Sequence, residues 1–381
     1  MKGSYIIFAL LVCLIMPLTV QSAEYSYTMN DIGNYAGKAE WDKLTGELPE
    51  DIKAEVTDID PYDPGSAVDA IEEKSSLKYW TKRLLEEINS ALGAMFPDLL
   101  PVFSAILILA AVQMLLPTLS SELADSFMML GRLTVAITVF RTTFGMLDIA
   151  ERHLTGLCSI MNLLTPVMQA LYLAEGSLTQ MSVSTTAVML AVTAIGYVNT
   201  RVMAPCTSIL FTLSAVTTVC DEVKLGGLTS GIRQLIMRVW QIVTIMFSFM
   251  LGTQSIIARS ADTLAAKTVK FAIGSFIPMA GGVMAEAYNT VREGLSFVKT
   301  TAGIGGIIMI LLILLPGIIP LVVYKISIII LSSISGMLKL DGTTALLEEV
   351  KGIIEIITAI VLYTSLMLVF AMILFTRSRV G

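Results

Sequence analysis

TAGIGGIIMILLILLPGIIPLVVY, from Thr301 to Tyr324, runs for 24 residues without a charged side chain. A helix needs about 20 such residues to cross the hydrocarbon core of a bilayer, at roughly 1.5 Å per residue. The segment therefore decides the fold class, an all-α polytopic α-helical integral membrane protein. Working outward by scarcity of charge gives six more apolar stretches, at 99–119, 127–147, 176–198, 202–220, 239–258 and 353–375. About seven transmembrane helices are expected. Three further stretches are apolar but compromised. Residues 154–174 contain Asn162, Pro166 and Gln169, residues 271–285 are short and rich in Gly and Pro, and residues 326–338 are too few to span. These read as re-entrant or interfacial segments.

With 55% hydrophobic and only 15% charged residues in 381, the chain has more apolar side chains than one water-soluble core can bury. The bilayer is its main solvent. Three regions follow. Residues 1–23 carry Lys2, an apolar run and the small residues Ser22 and Ala23, the order of a cleavable signal peptide. Residues 24–98 form an acidic extracytoplasmic region, with 17 acidic against 7 basic side chains. Its turn-rich first part ends in the Asp60-Pro61-Tyr62-Asp63-Pro64-Gly65 cluster, and an amphipathic helix with Trp80, Leu84, Ile88 and Leu92 on one face closes it. Residues 99–381 are the multi-span transmembrane domain.

Seven crossings from an outside N-terminus place the C-terminus inside, beside the basic Arg377 and Arg379. The connection at 259–300 is also basic, as the positive-inside rule asks. Two places resist this topology. The 221–238 connection would face outside with Lys224, Arg233 and Arg238, and the join at Asn199-Thr200-Arg201 is very tight.

Catalysis finds little to stand on. The single histidine, His153, sits in the charged sequence Asp148-Ile-Ala-Glu-Arg-His153, which reads as an interfacial loop. Cys13, Cys158, Cys206 and Cys220 are widely spaced in apolar contexts and suggest neither a disulfide framework nor a zinc site. Hydrolase, zinc-protease and nucleotide-loop signatures are lacking, so no catalytic residue, metal site or cofactor is expected, and the chain reads as a non-enzyme. The acidic balance argues against a nucleic-acid partner.

The candidate sites are packing or pore residues. Arg141 lies deep in the second apolar stretch, where a charge persists only with a reason. It either pairs with a carboxylate such as Asp148, Glu151 or Glu355, or faces an aqueous path. Gly281 and Gly282, after Pro278, and Pro316 and Pro320, inside the sixth stretch, mark breaks that leave backbone groups in need of partners. Gly303, Gly305 and Gly306 permit close approach of another backbone.

The run from Phe276 through Pro278, Gly281, Gly282, Glu286 and Thr290, continuing past Lys299 to Gly306, resembles the central hallmark of the stage III sporulation protein AE family of endospore-forming Firmicutes. The order of signal peptide, modest outer region, multi-span remainder and basic tail resembles that family too. The resemblance implies an inner-membrane subunit of the transenvelope channel or secretion complex in the mother-cell membrane around the forespore. It implies other stage III sporulation membrane proteins as partners, and late forespore gene expression as the process served. A homo-oligomer within that complex is compatible with it. It transfers no catalytic residues. The alternative is a secondary transporter or permease for a small solute, which would need an internal repeat, and the two halves offer no convincing one.

Overall fold

The computed structural model describes residues 37–115, 121–198, 201, 204–219, 226–276 and 281–376. The expected signal peptide, Cys13, Cys220, Arg377 and Arg379 lie outside the described residues. Every element among these residues is a helix: α1 (Lys38–Glu47), α2 (Glu50–Val56), α3 (Pro64–Ser75), α4 (Leu77–Leu115), α5 (Ser121–Ala174), α6 (Leu178–Val198), α7 (Ala204–Val219), α8 (Gly226–Phe276), α9 (Gly281–Met337) and α10 (Asp341–Thr376). Five are long and apolar enough to cross a membrane, namely α4, α5, α6, α9 and α10. The stretch at 202–220 holds a shorter apolar helix, Pro205–Ser214, and 239–258 lies within α8.

The helices are longer than hydropathy suggests, because charge interrupts an apolar run without interrupting a helix. Asp148-Ile-Ala-Glu-Arg-His153 contains no Gly or Pro and is made largely of residues that helices tolerate well. Asp148 and Arg152 pair across one turn at 2.9 Å. α5 therefore passes straight through, joining the stretches 127–147 and 154–174 into 54 residues. His153 sits inside this helix, not in a loop. In the same way α9 joins 301–324 to 326–338 over 57 residues, and α4 carries the amphipathic turns into the first apolar stretch, with Asp98 inside it. At 1.5 Å per residue, α5, α8 and α9 are each about 75–85 Å long. A bilayer with its headgroups is about 40–45 Å thick.

Cross-helix contacts fix the register. Thr143 of α5 meets the Tyr324 hydroxyl of α9 at 2.9 Å. Further up α5, His153 lies against Gly317, Leu164 against Gly306, and the Lys299 ammonium stands 4.9 Å from the Tyr172 ring centroid. Each advance along α5 is a retreat along α9, so the two are antiparallel. α10 returns antiparallel to α9, through Ser332–Glu348 at 3.0 Å, Lys325–Glu355 at 3.0 Å and Met372 against Gly306. α8 runs parallel to α10, with Arg233 on Glu349 at 3.2 Å and Gln241 donating to the Tyr363 hydroxyl at 2.8 Å.

One pairing corrects the expected topology. Gln169 of α5 donates to Thr185 of α6 at 3.1 Å, whereas Phe140 and Phe144 of α5 meet Phe211 of α7 with ring centroids 5.2 and 4.6 Å apart. Moving along the chain from Thr185 to Phe211 thus retraces α5 from Gln169 to about Phe144. α6 and α7 run end to end down one path. The helices α6 and α7, which occupy the two stretches counted above as separate crossings, together match the length of one rod beside α5. The resulting rods α4, α5, α6–α7, α8, α9 and α10 alternate in direction among the described residues. Trp41 and Ile59 pack on Gly305, and Met372 packs on Gly306. Both ends of the described chain therefore sit at the same end of the bundle, where an odd number of crossings would have separated them.

α1, α2 and α3 cap that end. Trp41, Leu44, Val56, Ile59 and Ile71 are buried there, and the Tyr79 hydroxyl of α4 donates to Glu55 at 2.7 Å. Burial, reinforced by Glu40, Asp60 and Asp42, pushes the Tyr62 phenol above its usual pKa.

Candidate functional site

The expected glycine contacts sit where α9 meets three different elements. A Cβ on Gly305 would come within 3.2 Å of both Ile59 and Trp41 of the cap. On Gly306 it would lie 2.6 Å from Met372 Cε of α10 and 3.0 Å from Leu164 Cδ1 of α5. The first distance is shorter than real Cβ contacts and the second is tighter than most of them, so the absence of a side chain is what lets the three elements close together. Gly303 is buried one turn earlier. Gly281 and Gly282 open α9, and their surroundings lie outside the described residues, as do residues 277–280.

Pro316 and Pro320 behave differently from expectation. No break occurs, because α9 continues through both. They are four residues apart and so share one helix face. Pro316 is exposed and Pro320 partly exposed, placing the lost N–H groups on the outer edge of the rod. The member of the motif that touches a neighbouring rod is Gly317, which faces inward. A Cβ there would overlap the His153 ring, closest to its Nδ1. His153 is buried, and its Nε2 has no hydrogen-bond partner among the described residues.

At the capped end, the sequence reading missed the most buried charges in the structure. Gly176 adopts a left-handed conformation, φ 75°. Its N–H bonds the Leu173 carbonyl at 3.1 Å, and the Ser177 N–H bonds the Tyr172 carbonyl at 2.9 Å. This Schellman turn ends α5 and leaves Glu175 pointing into the bundle. There the Lys299 ammonium donates to Glu175, with 0% and 1% of the two side chains exposed. The Tyr172 ring lies beneath the ammonium. Two opposite charges in so dry a place are tolerable only as a pair, with further favourable contacts around them. No signal could have linked them, since 124 residues separate them in the chain.

Arg141 lies on the exposed face of α5. Among the described residues it has no ion-pair partner. Asp148 is taken by Arg152, and Glu355 by Lys325. A second arginine, Arg233 of α8, is held instead. Gly352 of α10 leaves the space its guanidinium fills, and a Cβ there would overlap it. The sequence offered Arg233 only as a misplaced positive charge, and the glycine opposite it gave no warning.

Among the described residues, no group of three or more His, Cys, Asp or Glu side chains is arranged to hold a metal ion. What the geometry supplies is a rigid set of long rods, locked by glycine contacts and ion pairs, with polar groups on one outer face of α5.

Comparison with known proteins then decides the lineage. The family model for stage III sporulation protein AE matches residues 63–378. The chain belongs to the stage III sporulation protein AE family. The stage III sporulation protein AE of Bacillus subtilis (strain 168) is 24% identical over 315 residues, covering 79% of this chain and 77% of that protein. No solved structure matches. The matched region begins within the cap, just before α3, and includes every long rod, so the family is defined over the bundle.

Proposed function

We propose that this chain is a non-enzymatic membrane subunit of the stage III sporulation transenvelope channel complex, placed in the mother-cell membrane around the forespore and required for late forespore gene expression. The observation that carries this reading is family membership across residues 63–378. The architecture supports it. Rods of about 75–85 Å outrun a single bilayer, so part of the bundle stands clear of the headgroups, where other stage III sporulation membrane proteins would meet it. The acidic outer region at the capped end is the natural meeting surface. The membrane domain was read as seven crossings, and the end-to-end course of α6 and α7 favours six.

A clean deletion in the native host tests the reading. The expected result is normal vegetative growth, a block after engulfment, loss of late forespore gene expression and few heat-resistant spores. Normal sporulation with a defect in uptake or export of a small solute would overturn it in favour of the permease.

A further inference from the structure

At the height of its most apolar segments, the protomer has two unlike sides. α9 and α10 supply the core there, with 72% and 78% of their most apolar windows buried inside the protein. The register above places α5 from Asp148 to Asn162 beside the middle of those windows, between the Thr143–Tyr324 and Leu164–Gly306 contacts. The inward face of α5 is apolar over this length apart from His153, with Leu154, Leu157 and Met161 buried.

Its outward face carries Arg141, Asp148, Arg152, Thr155, Ser159 and Asn162, all exposed. Their spacings of seven, four, three, four and three residues set them on one line along the helix. The outward faces of α6 and α8 are more apolar. α6 exposes Met189, Leu190 and Tyr197 with Thr186 and Thr193 among them, and α8 exposes Ile242, Ile245, Met246 and Phe249 above a single arginine, Arg238.

Lipid suits those two faces better than it suits the row, which holds three ionisable side chains against one on the α8 face. An ionisable side chain at bilayer depth costs about 2.5–3.5 kcal/mol even on the more lenient scales, and the row carries three. The Asp148–Arg152 pair lessens that cost without removing it, since 62% and 71% of these side chains remain exposed. The row lies on the convex outside of one bundle, so a single copy cannot enclose it. The crevice between α7, α8 and α10, lined by Cys206, Leu210, Ile236, Ile353, Ile356 and Ile360, is almost wholly apolar and offers a polar solute nothing.

We infer that the outward row of α5 lines a water-filled path enclosed by further copies of this chain, with α6 and α8 turned to lipid. The inference rests on the channel reading above and names the wall of the channel. The row has both signs of charge at one end and only hydroxyls and an amide at the other. It therefore suits small polar solutes of either charge better than a single ion type.

The test uses the full-length chain in sporulating cells of its own host, with Cys13, Cys158, Cys206 and Cys220 all replaced by Ala and single cysteines introduced at Thr155→Cys, Ser159→Cys and Asn162→Cys. Leu190→Cys on α6 serves as the control at the same height. The probe is a charged, membrane-impermeant methanethiosulfonate, applied to cells opened enough to admit it to both membrane faces. The expected result is reaction at the three row positions at least tenfold faster than at Leu190→Cys. A short bismaleimide should also join two Ser159→Cys copies into a dimer.

Slow reaction at the row would overturn the inference. Equally fast reaction at Leu190→Cys would also overturn it, because the whole tier would then lie outside the bilayer. Fast reaction without cross-linked dimers would overturn the role given to further copies. None of these readouts depends on the deletion phenotype, so failure of the sporulation reading is recognised separately.

Discussion

α5 holds two ion pairs that could hardly differ more. Asp148 and Arg152 sit one turn apart in the middle of the helix, largely exposed, and meet at 2.9 Å. Glu175 follows the last residue of α5 and reaches Lys299 on another rod, where both are sealed from solvent. The first pair is local and needs no tertiary structure. The second exists only when α5, α9 and the cap are assembled. Similar chemistry therefore serves a solvated surface at one place and the closure of the fold at the other, and burial alone decides which.

That contrast can be broken most sharply at Lys299. Lys299→Met would leave the Glu175 carboxylate buried without its partner, and we expect a loss of about 3–5 kcal/mol. Unfolding of the purified protein in mixed detergent, followed by circular dichroism, would measure it. The double variant Lys299→Met/Glu175→Leu should regain most of the loss. If the single variant is as stable as the parent, the pair does not hold the capped end together.

The next effect is expected at Gly317, where a methyl group would collide with the rigid His153 ring. Gly317→Ala should cost about 1–3 kcal/mol in the same assay. Adding His153→Ala should relieve the strain, whereas a shared backbone cause would leave the double variant no better. Gly306→Ala is expected to be milder, because the flexible Met372 terminus can move aside. Gly306→Leu should prevent recovery of the assembled complex while leaving insertion intact.

A smaller effect belongs to Gly352→Ala, which would drive the Arg233 guanidinium off Glu349. The expected loss is about 1 kcal/mol or somewhat more, since the pair is only partly shielded. Removing Glu349 first should abolish much of the difference, which a double-mutant cycle would detect. The least effect on stability is expected from Arg152→Gln, within about 1 kcal/mol, because Asp148 and Arg152 are mostly exposed. A large loss there would mean that the outward row of α5 is packing against something even in the isolated chain.

The sequence made the helices and their apolar character legible, and it made the glycine cluster legible as a place of close approach. Gly305 and Gly306 are such places, and the cap packs on the first of them. Helix extent was not legible. A hydropathy reading stops at Asp148 and again at Lys325, while a charged side chain does nothing to interrupt a helical backbone. Nor was the direction of the prolines legible. Whether Pro316 or Gly317 faces the bundle depends on helix phase, which neighbours on other rods set. The ion pair at Lys299, the seat of Arg233 and the shared path of α6 and α7 all depend on contacts between residues far apart in the chain. No local pattern records them.

The seat of Trp41 on Gly305 carries a consequence for biosynthesis. Trp41 emerges from the ribosome about 260 residues before the glycine it packs against. Until α9 is made, the cap has α5 to pack on but lacks the Gly305 seat of its tryptophan, and a contact so distant in sequence is slow to form. Closure of the capped end is thus coupled to completion of the membrane domain. A chain truncated before α9 would present an open, unsettled N-terminal region, a ready signal by which quality-control proteases could tell an unfinished subunit from a finished one.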